Sequence, residues 1–352
     1  MGGVAGCCQP PTLAPPQPSA PAGPVEDPQD ARARQILGRY RQLREVASGA
    51  FGKVFVLEKD DRKFALKRIK KALLVKDITV DSILTEKNIM KEADHPFVVR
   101  LHESFQDKQY VYFIMDFCNG GQLFDYIQRF RRFPEHATQI YAAEILLGLK
   151  YLHEKGVLHR DVKPENVLLD AEGHVKLTDF GLSKLGGAKT STRLGTSLYI
   201  ALEILLAHEY DPMVDFWALV CMMYEMLDDM SPFEDQSEGA VKRRIKEGRM
   251  KPCAAALSAD AKSLVAGLLR LEPQERLGAG GAAEVMNHPF FGKIDWQDLF
   301  ERKYAPSFKI ESVLAKGPRE QHFEVEDAER ININIPNLTE VDSSFRARGM
   351  QF

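Results

Sequence analysis

The sequence predicts an α+β fold of two lobes, a small β-rich lobe followed by a larger α-helical one. Between Tyr40 and about Asp116, apolar and polar residues alternate as they do in strands. After Gly120-Gly121, apolar residues recur at helical spacing as far as about residue 269. The length of 352 residues also suits two structural units better than one small domain.

Composition excludes several classes of protein. Apolar residues make up 44% and charged residues 28%, which is ordinary globular usage. The net charge of −3 argues against wholesale nucleic-acid binding, so we predict no nucleic-acid partner. No apolar run is long enough for a membrane-spanning helix. Five scattered cysteines suit neither a disulfide framework nor a zinc site, which predicts a reducing compartment, the cytosol or the nucleus. Of these, we predict a cytoplasmic location.

The N-terminal segment, residues 1–35, is predicted to be disordered and proline-rich, because it has too little apolar surface to offset its ordering entropy. Its start resembles an N-myristoylation site at Gly2, although Gly6 stands where Ser or Thr is required. Cys7 and Cys8 could carry palmitate. The sequence therefore leaves open a weak membrane association through Gly2, Cys7 and Cys8, against the alternative of a plain disordered tail.

Within the small lobe, residues 51–57 and 63–69 alternate as strands, and Asp60-Asp61 between them is a turn signal. Ile83, Ile89 and Met90 lie at helical spacing and predict one helix over 79–92. Two more strands are predicted over 98–105 and 110–117.

The large lobe has five segments of helical periodicity. The sequence shows no internal repeat. From Gly292 onward the pattern is irregular and predicts an extended tail. The predicted helices cover 122–130, 135–155, 213–227, 238–247 and 259–269.

The strongest chemical signal is the run His159-Arg-Asp-Val-Lys-Pro-Glu-Asn166, followed thirteen residues later by Asp179-Phe-Gly181. Seven of the first eight positions match the catalytic-loop signature of protein kinases, and the chain therefore resembles a eukaryotic protein kinase. The resemblance implies a two-lobed kinase fold over 36–291, with a small lobe of about 36–117 and a large lobe of about 118–291. Residues 292–352 are the tail.

The resemblance implies a role for each residue of this signature. Asp161 is expected to orient the hydroxyl of a substrate, and Lys163 to neutralise the moving phosphate. Asn166 and Asp179 supply the oxygen ligands that Mg²⁺ prefers. ATP and Mg²⁺ are therefore the expected cofactors. Lys163, two residues after Asp161, resembles the serine/threonine-specific branch.

The nucleotide site is expected to draw on the small lobe and the connection between the lobes. Lys67 lies in a strand similar to the Val-Ala-Ile-Lys strand of kinases, and Glu86 in the predicted helix is its expected partner. Ala47 replaces the first glycine of the phosphate-binding loop, which predicts weaker nucleotide binding rather than none. The positions implied for ATP are Val46, Ala47, Ser48, Gly49, Ala50, Phe51, Gly52, Lys53, Val54, Lys67, Met115, Asp116 and Cys118.

Three segments resemble the AGC group, which includes cAMP-dependent kinase, protein kinase C and Akt. They cover residues 193–200, 287–296 and a tail containing Phe308, Phe323 and 337–342. Calmodulin-dependent kinases are the nearest alternative, because 120–125 suits them too. By resemblance, Glu203 pairs with Arg276 and Asp215 braces the catalytic-loop backbone.

The resemblance also implies regulation and substrate choice. Thr192 and Thr339 match the positions of regulatory phosphorylation, with Thr190 and Ser191 as neighbouring alternatives to Thr192. Arg160 is expected to pair with the loop phosphate, which makes an upstream activating kinase a possible partner. Protein substrates are expected to carry basic residues. Glu165, Glu225 and Gln122 occupy the corresponding positions, which favours a basic residue two places upstream of the acceptor and a weaker preference at three.

Two functions remain in competition. One is an active serine/threonine kinase. The other is a pseudokinase that acts as a binding scaffold, which the altered glycine loop and Leu202 favour. The presence of all five chemical residues favours the enzyme. These are Lys67, Glu86, Asp161, Asn166 and Asp179.

Overall fold

The computed structural model describes residues 27–49, 52–73, 80–185, 198–253, 256–305, 307–308 and 310. It begins with helix α1, Pro28–Leu37. The prediction of disorder through residue 35 is therefore wrong for 28–35. Asp27 caps the helix by accepting a hydrogen bond from the Gln29 N–H, and Ala33 and Ile36 are buried. The segment has few apolar residues, but two of them, Ala33 and Ile36, pack against the neighbouring sheet.

Five strands of the described small lobe form one antiparallel sheet in the order β1-β2-β3-β5-β4. Asp60 and Asp61 both have positive φ, 50° and 58°, as a tight hairpin between β2 and β3 requires. The strands are β1 Arg41–Gly49, β2 Gly52–Lys59, β3 Arg62–Lys70, β4 Leu101–Gln106 and β5 Tyr110–Asp116, and helix α2 covers Val80–Glu92.

The two faces of this sheet pack against different helices. On β5, Tyr112 and Ile114 face the cluster that contains Ala33 and Ile36 of α1. Phe113, from the alternate positions, faces the main core, to which α2 also contributes. The sheet is thus buried on both faces. The face that carries Phe113 borders the cleft between the lobes.

The large lobe surrounds helix α6, Met213–Asp228, every residue of which is buried. Its predicted helices are confirmed to within two residues at either end. Before α6 in the chain come β6 Gly121–Gln122, α3 Leu123–Phe130, α4 Glu135–Glu154, β7 Val157–Leu158, β8 Val167–Leu169, β9 Val175–Leu177, β10 Lys184–Leu185 and α5 Leu202–Leu205. After it come α7 Glu238–Glu247, α8 Ala259–Leu268, α9 Ala282–Met286 and α10 Trp296–Phe300.

The start of the tail is more regular than its sequence predicted. Helix α10 forms because Asp295 accepts hydrogen bonds from the Gln297 and Asp298 N–H groups. Phe308 then packs on the large lobe, with its ring centroid 4.7 Å from that of Phe130 and 4.5 Å from that of Phe133. In the described ranges, no helix is both long and apolar enough to cross a membrane.

Candidate active site

The loop between β7 and β8 brings three of the predicted catalytic and metal-binding residues together. Lys163 Nζ lies 2.7 Å from Asp161 Oδ2. The Asn166 side-chain amide donates to the Asp161 carbonyl oxygen at 2.8 Å and to Asp161 Oδ2 at 2.9 Å. The Asp161 carboxylate is therefore held in one orientation, with a cation beside it, at the floor of the space between the lobes.

Asp215 of α6 binds the backbone of the same loop, as the resemblance implied. Asp215 accepts hydrogen bonds from the backbone N–H of His159 at 3.0 Å and of Arg160 at 2.8 Å. Burial raises the pKa of Asp215, but the hydrogen bonds from His153 and from the Arg160 amide outweigh burial and leave that pKa lowered. Arg160 adopts φ of 67°, a conformation that is unusual for a non-glycine residue and costs conformational energy. The hydrogen bonds to Asp215 hold the loop in this conformation.

Lys67 on β3 and Glu86 on α2 form the predicted ion pair. The Lys67 Nζ lies 2.6 Å from Glu86 Oε1 and 4.0 Å from Asp179 Oδ1. Burial lowers the pKa of Lys67, but the carboxylates of Glu86 and Asp179 outweigh burial, so this pKa is raised. The ammonium therefore stays charged, between the helix and the candidate metal ligand.

Asp179 is turned toward the cleft by its backbone, which has φ of 63°. Phe180, the next residue, is fully buried, and its ring centroid lies 5.2 Å from that of His159. The Asp179 side chain is half exposed. Asn166 and Asp179 together offer amide and carboxylate oxygens, a donor set that suits Mg²⁺, which binds few protein ligands and keeps several waters.

The described part of the glycine loop is a β1–β2 hairpin, with Ala47 opposite Val54, Ser48 opposite Lys53 and Gly49 opposite Gly52. Val46 lies at a register shift in β1, between Glu45, which pairs with Phe55, and Ala47. Ala50 and Phe51 lie outside the described residues. Lys53 forms an exposed ion pair with Glu45 at 3.0 Å.

Glycine is required at position 52 by close approach. A Cβ there would lie 2.0 Å from the Arg68 carbonyl oxygen of β3. Val54, two residues on, pairs with Lys67 across the same strands, so the loop and the lysine are in fixed register.

The connection between the lobes runs from Met115 to Cys118. Met115 is buried at the end of β5, as expected of a residue that closes the back of a nucleotide pocket. Within the part of the chain that the structure describes, the Cys118 N–H donates to no backbone acceptor. Burial raises the pKa of the Cys118 thiol to about 12, so the thiol is inert at neutral pH.

On the predicted substrate side, the Tyr199 hydroxyl donates to Glu225 Oε2 at 2.5 Å. Burial is the largest cause that raises the pKa of Glu225, and the nearby carboxylates, Glu165 first among them, add to it. The hydrogen bond from Tyr199 opposes this rise, and the resulting pKa is about 7. Gln122 lies in β6, which packs beside the turn that contains Glu165. The structure thus places all three predicted residues around one acidic region.

The Glu203–Arg276 pair is confirmed in geometry and is buried. Arg276 donates to both carboxylate oxygens, at 2.7 and 3.0 Å, and its guanidinium stacks on Trp217 at 4.9 Å. This pair connects α5, which follows the segment that contains Thr192, to the part of the large lobe that follows α8.

Some predicted residues lie outside the described ranges. They are Thr192, Phe323, Thr339, and the N-terminal Gly2, Cys7 and Cys8. Conversely, sequence reasoning missed His153, whose Nε2 lies 2.7 Å from Asp215 Oδ2. Its position on α4, six residues before His159, carries no local signal of that contact.

Comparison with known proteins agrees with this geometry. The protein kinase domain family matches residues 40–291, and the chain belongs to that family. It is 42% identical over 285 residues to the serine/threonine-protein kinase gad8 of Schizosaccharomyces pombe, covering 79% of this chain and 50% of that protein. It is 35% identical over 319 residues to the cAMP-dependent protein kinase catalytic subunit of Dictyostelium discoideum, covering 90% of this chain and 49% of that protein.

A third relative, protein kinase C of Drosophila melanogaster, is 40% identical over 311 residues, covering 86% of this chain and 41% of that protein. These relatives are serine/threonine kinases of the AGC group, which confirms the resemblance drawn from the motifs. The chain spans about half the length of the curated relatives it matches.

Proposed function

We propose that this protein transfers the γ-phosphoryl group of ATP to serine or threonine side chains of protein substrates. The observation that carries the proposal is the convergence of the Asp161, Lys163 and Asn166 cluster with the Lys67–Glu86 pair and Asp179 in one cleft. Such a site needs no covalent intermediate, because phosphoryl transfer depends on positioning and on charge neutralisation.

Each residue has a distinct part in this reaction. Lys67, held by Glu86, orients the α- and β-phosphates. Asn166 and Asp179 would hold the magnesium, which would neutralise charge on the phosphates. Asp161 orients the attacking hydroxyl, and Lys163 lies beside it to neutralise the transferred group.

We further propose that substrates carry a basic residue two positions before the acceptor. Glu225 and Glu165 support this, because carboxylates bind guanidinium groups with charge-assisted hydrogen bonds. Gln122 can bond a guanidinium but adds no ionic attraction, so the preference at three positions upstream is weaker.

Activation by an upstream kinase at Thr192 is also proposed. In this structure the Arg160 guanidinium contacts neutral oxygens of Leu182, Ser183 and Tyr210. A nearby phosphate would offer it a stronger, charged acceptor. A cytoplasmic location, weak membrane association and a contribution of Thr339 stay predictions from the sequence.

The test is a positional-scanning peptide phosphorylation assay with Mg-ATP on purified protein. We expect phosphorylated Ser/Thr peptides with basic upstream residues, and no product from Asp179→Asn. The exposed Asp260→Asn is the matched control and should keep full activity. Undiminished turnover in Asp179→Asn would overturn the assignment of roles, and absence of phosphate transfer by the wild type would favour the scaffold alternative.

A further inference from the structure

Behind the cleft, the carboxylate of Asp116 binds groups from both lobes. Asp116 ends β5 at the connection between the lobes. Its Oδ2 lies 2.9 Å from the Nζ of Lys176, which is in β9 of the large lobe. Its Oδ1 lies 2.8 Å from the Nε2 of His102, on β4 of the small lobe. We call these three side chains the rear clamp.

The backbone reinforces the rear clamp. The Arg100 N–H donates to Asp116 Oδ2 at 3.3 Å, and the Asp116 N–H donates in turn to the Arg100 carbonyl oxygen at 3.1 Å. Lys176 Nζ also reaches the Val98 carbonyl oxygen at 3.4 Å. Asp116 thus joins the connecting segment, the edge of the small-lobe sheet and β9.

The clamp is sheltered enough for its charges to matter. Side-chain exposure is 23% for Asp116 and 14% for Lys176. Burial raises the pKa of Asp116, but the His102 hydrogen bond and the Lys176 ammonium outweigh burial and bring that pKa to about 2. The carboxylate is therefore an anion at any physiological pH, and the pair with Lys176 persists.

The position of the clamp relates it to both ends of the nucleotide site. Asp116 lies two residues before Cys118, one of the positions expected to bond the adenine. Lys176 lies three residues before Asp179, along the strand that leads to that candidate metal ligand. Asp116, His102 and Lys176 also line an open pocket of about 270 Å³ behind the connection.

We propose that Asp116 and Lys176 are positioning residues that set the distance between the adenine-binding backbone and the metal-binding end of the nucleotide site. The proposal rests on the proposed kinase function. The clamp preorganises the cleft, so nucleotide binding does not have to restrict the lobes by itself. Its loss should weaken nucleotide binding and raise KM for ATP more than it lowers kcat.

The experiment measures Mg-ADP dissociation constants by calorimetry, and KM and kcat for ATP, on the purified 352-residue chain. Lys176→Met and Asp116→Asn should each raise Kd and KM by about 5- to 20-fold, which is less than the full contribution of a hydrogen bond to a charged group, because the rear clamp acts on the nucleotide only through the position of the cleft residues. The double variant should lose no more than either single variant, because both break one interaction. Lys176→Arg should retain most of the affinity.

Lys303→Met is the matched control, because Lys303 forms an exposed ion pair with Asp298 at 2.8 Å. It should leave Kd within twofold of the wild type. If Asp116→Asn does not fold, Lys176→Met carries the same expectation. A Kd within twofold of the wild type for Lys176→Met, or additive losses in the double variant, would overturn the proposal. A wild type that binds no nucleotide would instead refute the kinase function.

Discussion

Neutralising Glu203 should destabilise the large lobe strongly. Glu203 is 5% exposed, and the Arg276 side chain is fully buried against it. Glu203→Gln keeps the shape of the side chain but leaves the guanidinium buried without a counter-ion. Removing one partner of such a pair costs about 3–5 kcal/mol of unfolding free energy. With a urea m value of about 3 kcal/mol/M, the unfolding midpoint should fall by about 1–1.7 M.

Urea titration followed by tryptophan fluorescence is a suitable assay, because Trp217 stacks directly on Arg276. Glu154→Gln is the matched control. Glu154 pairs with Lys150 at 2.6 Å on an exposed helix face and is 59% exposed. Its loss should cost less than about 0.5 kcal/mol. If Glu203→Gln unfolds within about 1 kcal/mol of the wild type, the buried pair does not stabilise this lobe as argued.

Three further outcomes are expected. The pKa of Glu225 is about 7, so most of its carboxyl loses its proton between pH 6 and pH 8. Over that range KM for an arginine-containing peptide should fall by about tenfold. A flat profile would contradict the proposed binding of a basic substrate residue by Glu225. Gly52→Ala should lower the free energy of unfolding, measured by denaturant titration, by about 2 kcal/mol or more, because the new Cβ would clash with the Arg68 carbonyl oxygen. Gly239→Ala, whose Cβ would meet no atom within 4 Å, should not lower it. Thr192→Ala should strongly reduce phosphorylation of peptide substrates, and full activity would show that the loop orders without phosphate.

The chemistry of the site could be predicted from the sequence because it lies in short, contiguous segments. Asp161, Lys163 and Asn166 lie within six residues, and phosphoryl transfer restricts both their types and their spacing. The small-lobe strands and the large-lobe helices were likewise predictable, because burial on a sheet or a helix imposes its own period on the apolar residues.

Pairs that are distant in sequence needed more than local pattern. Glu203 and Arg276 are 73 residues apart, and only resemblance to a family suggested their contact. No pattern in the sequence relates Asp116 to Lys176, because their approach depends on how the sheet of one lobe sits against β9 of the other.

Helix α1 shows the same division most clearly. Asp27 and Pro28 are helix-start signals in the sequence, yet the low apolar content of the segment favoured disorder. Ala33 and Ile36 alone cannot offset the entropy of ordering ten residues. Against the outer face of the small-lobe sheet, beside Tyr112 and Ile114, they become part of a shared core. Local pattern in the sequence is enough to predict the elements and the reacting groups, whereas the surfaces that bury them exist only once the lobes have folded.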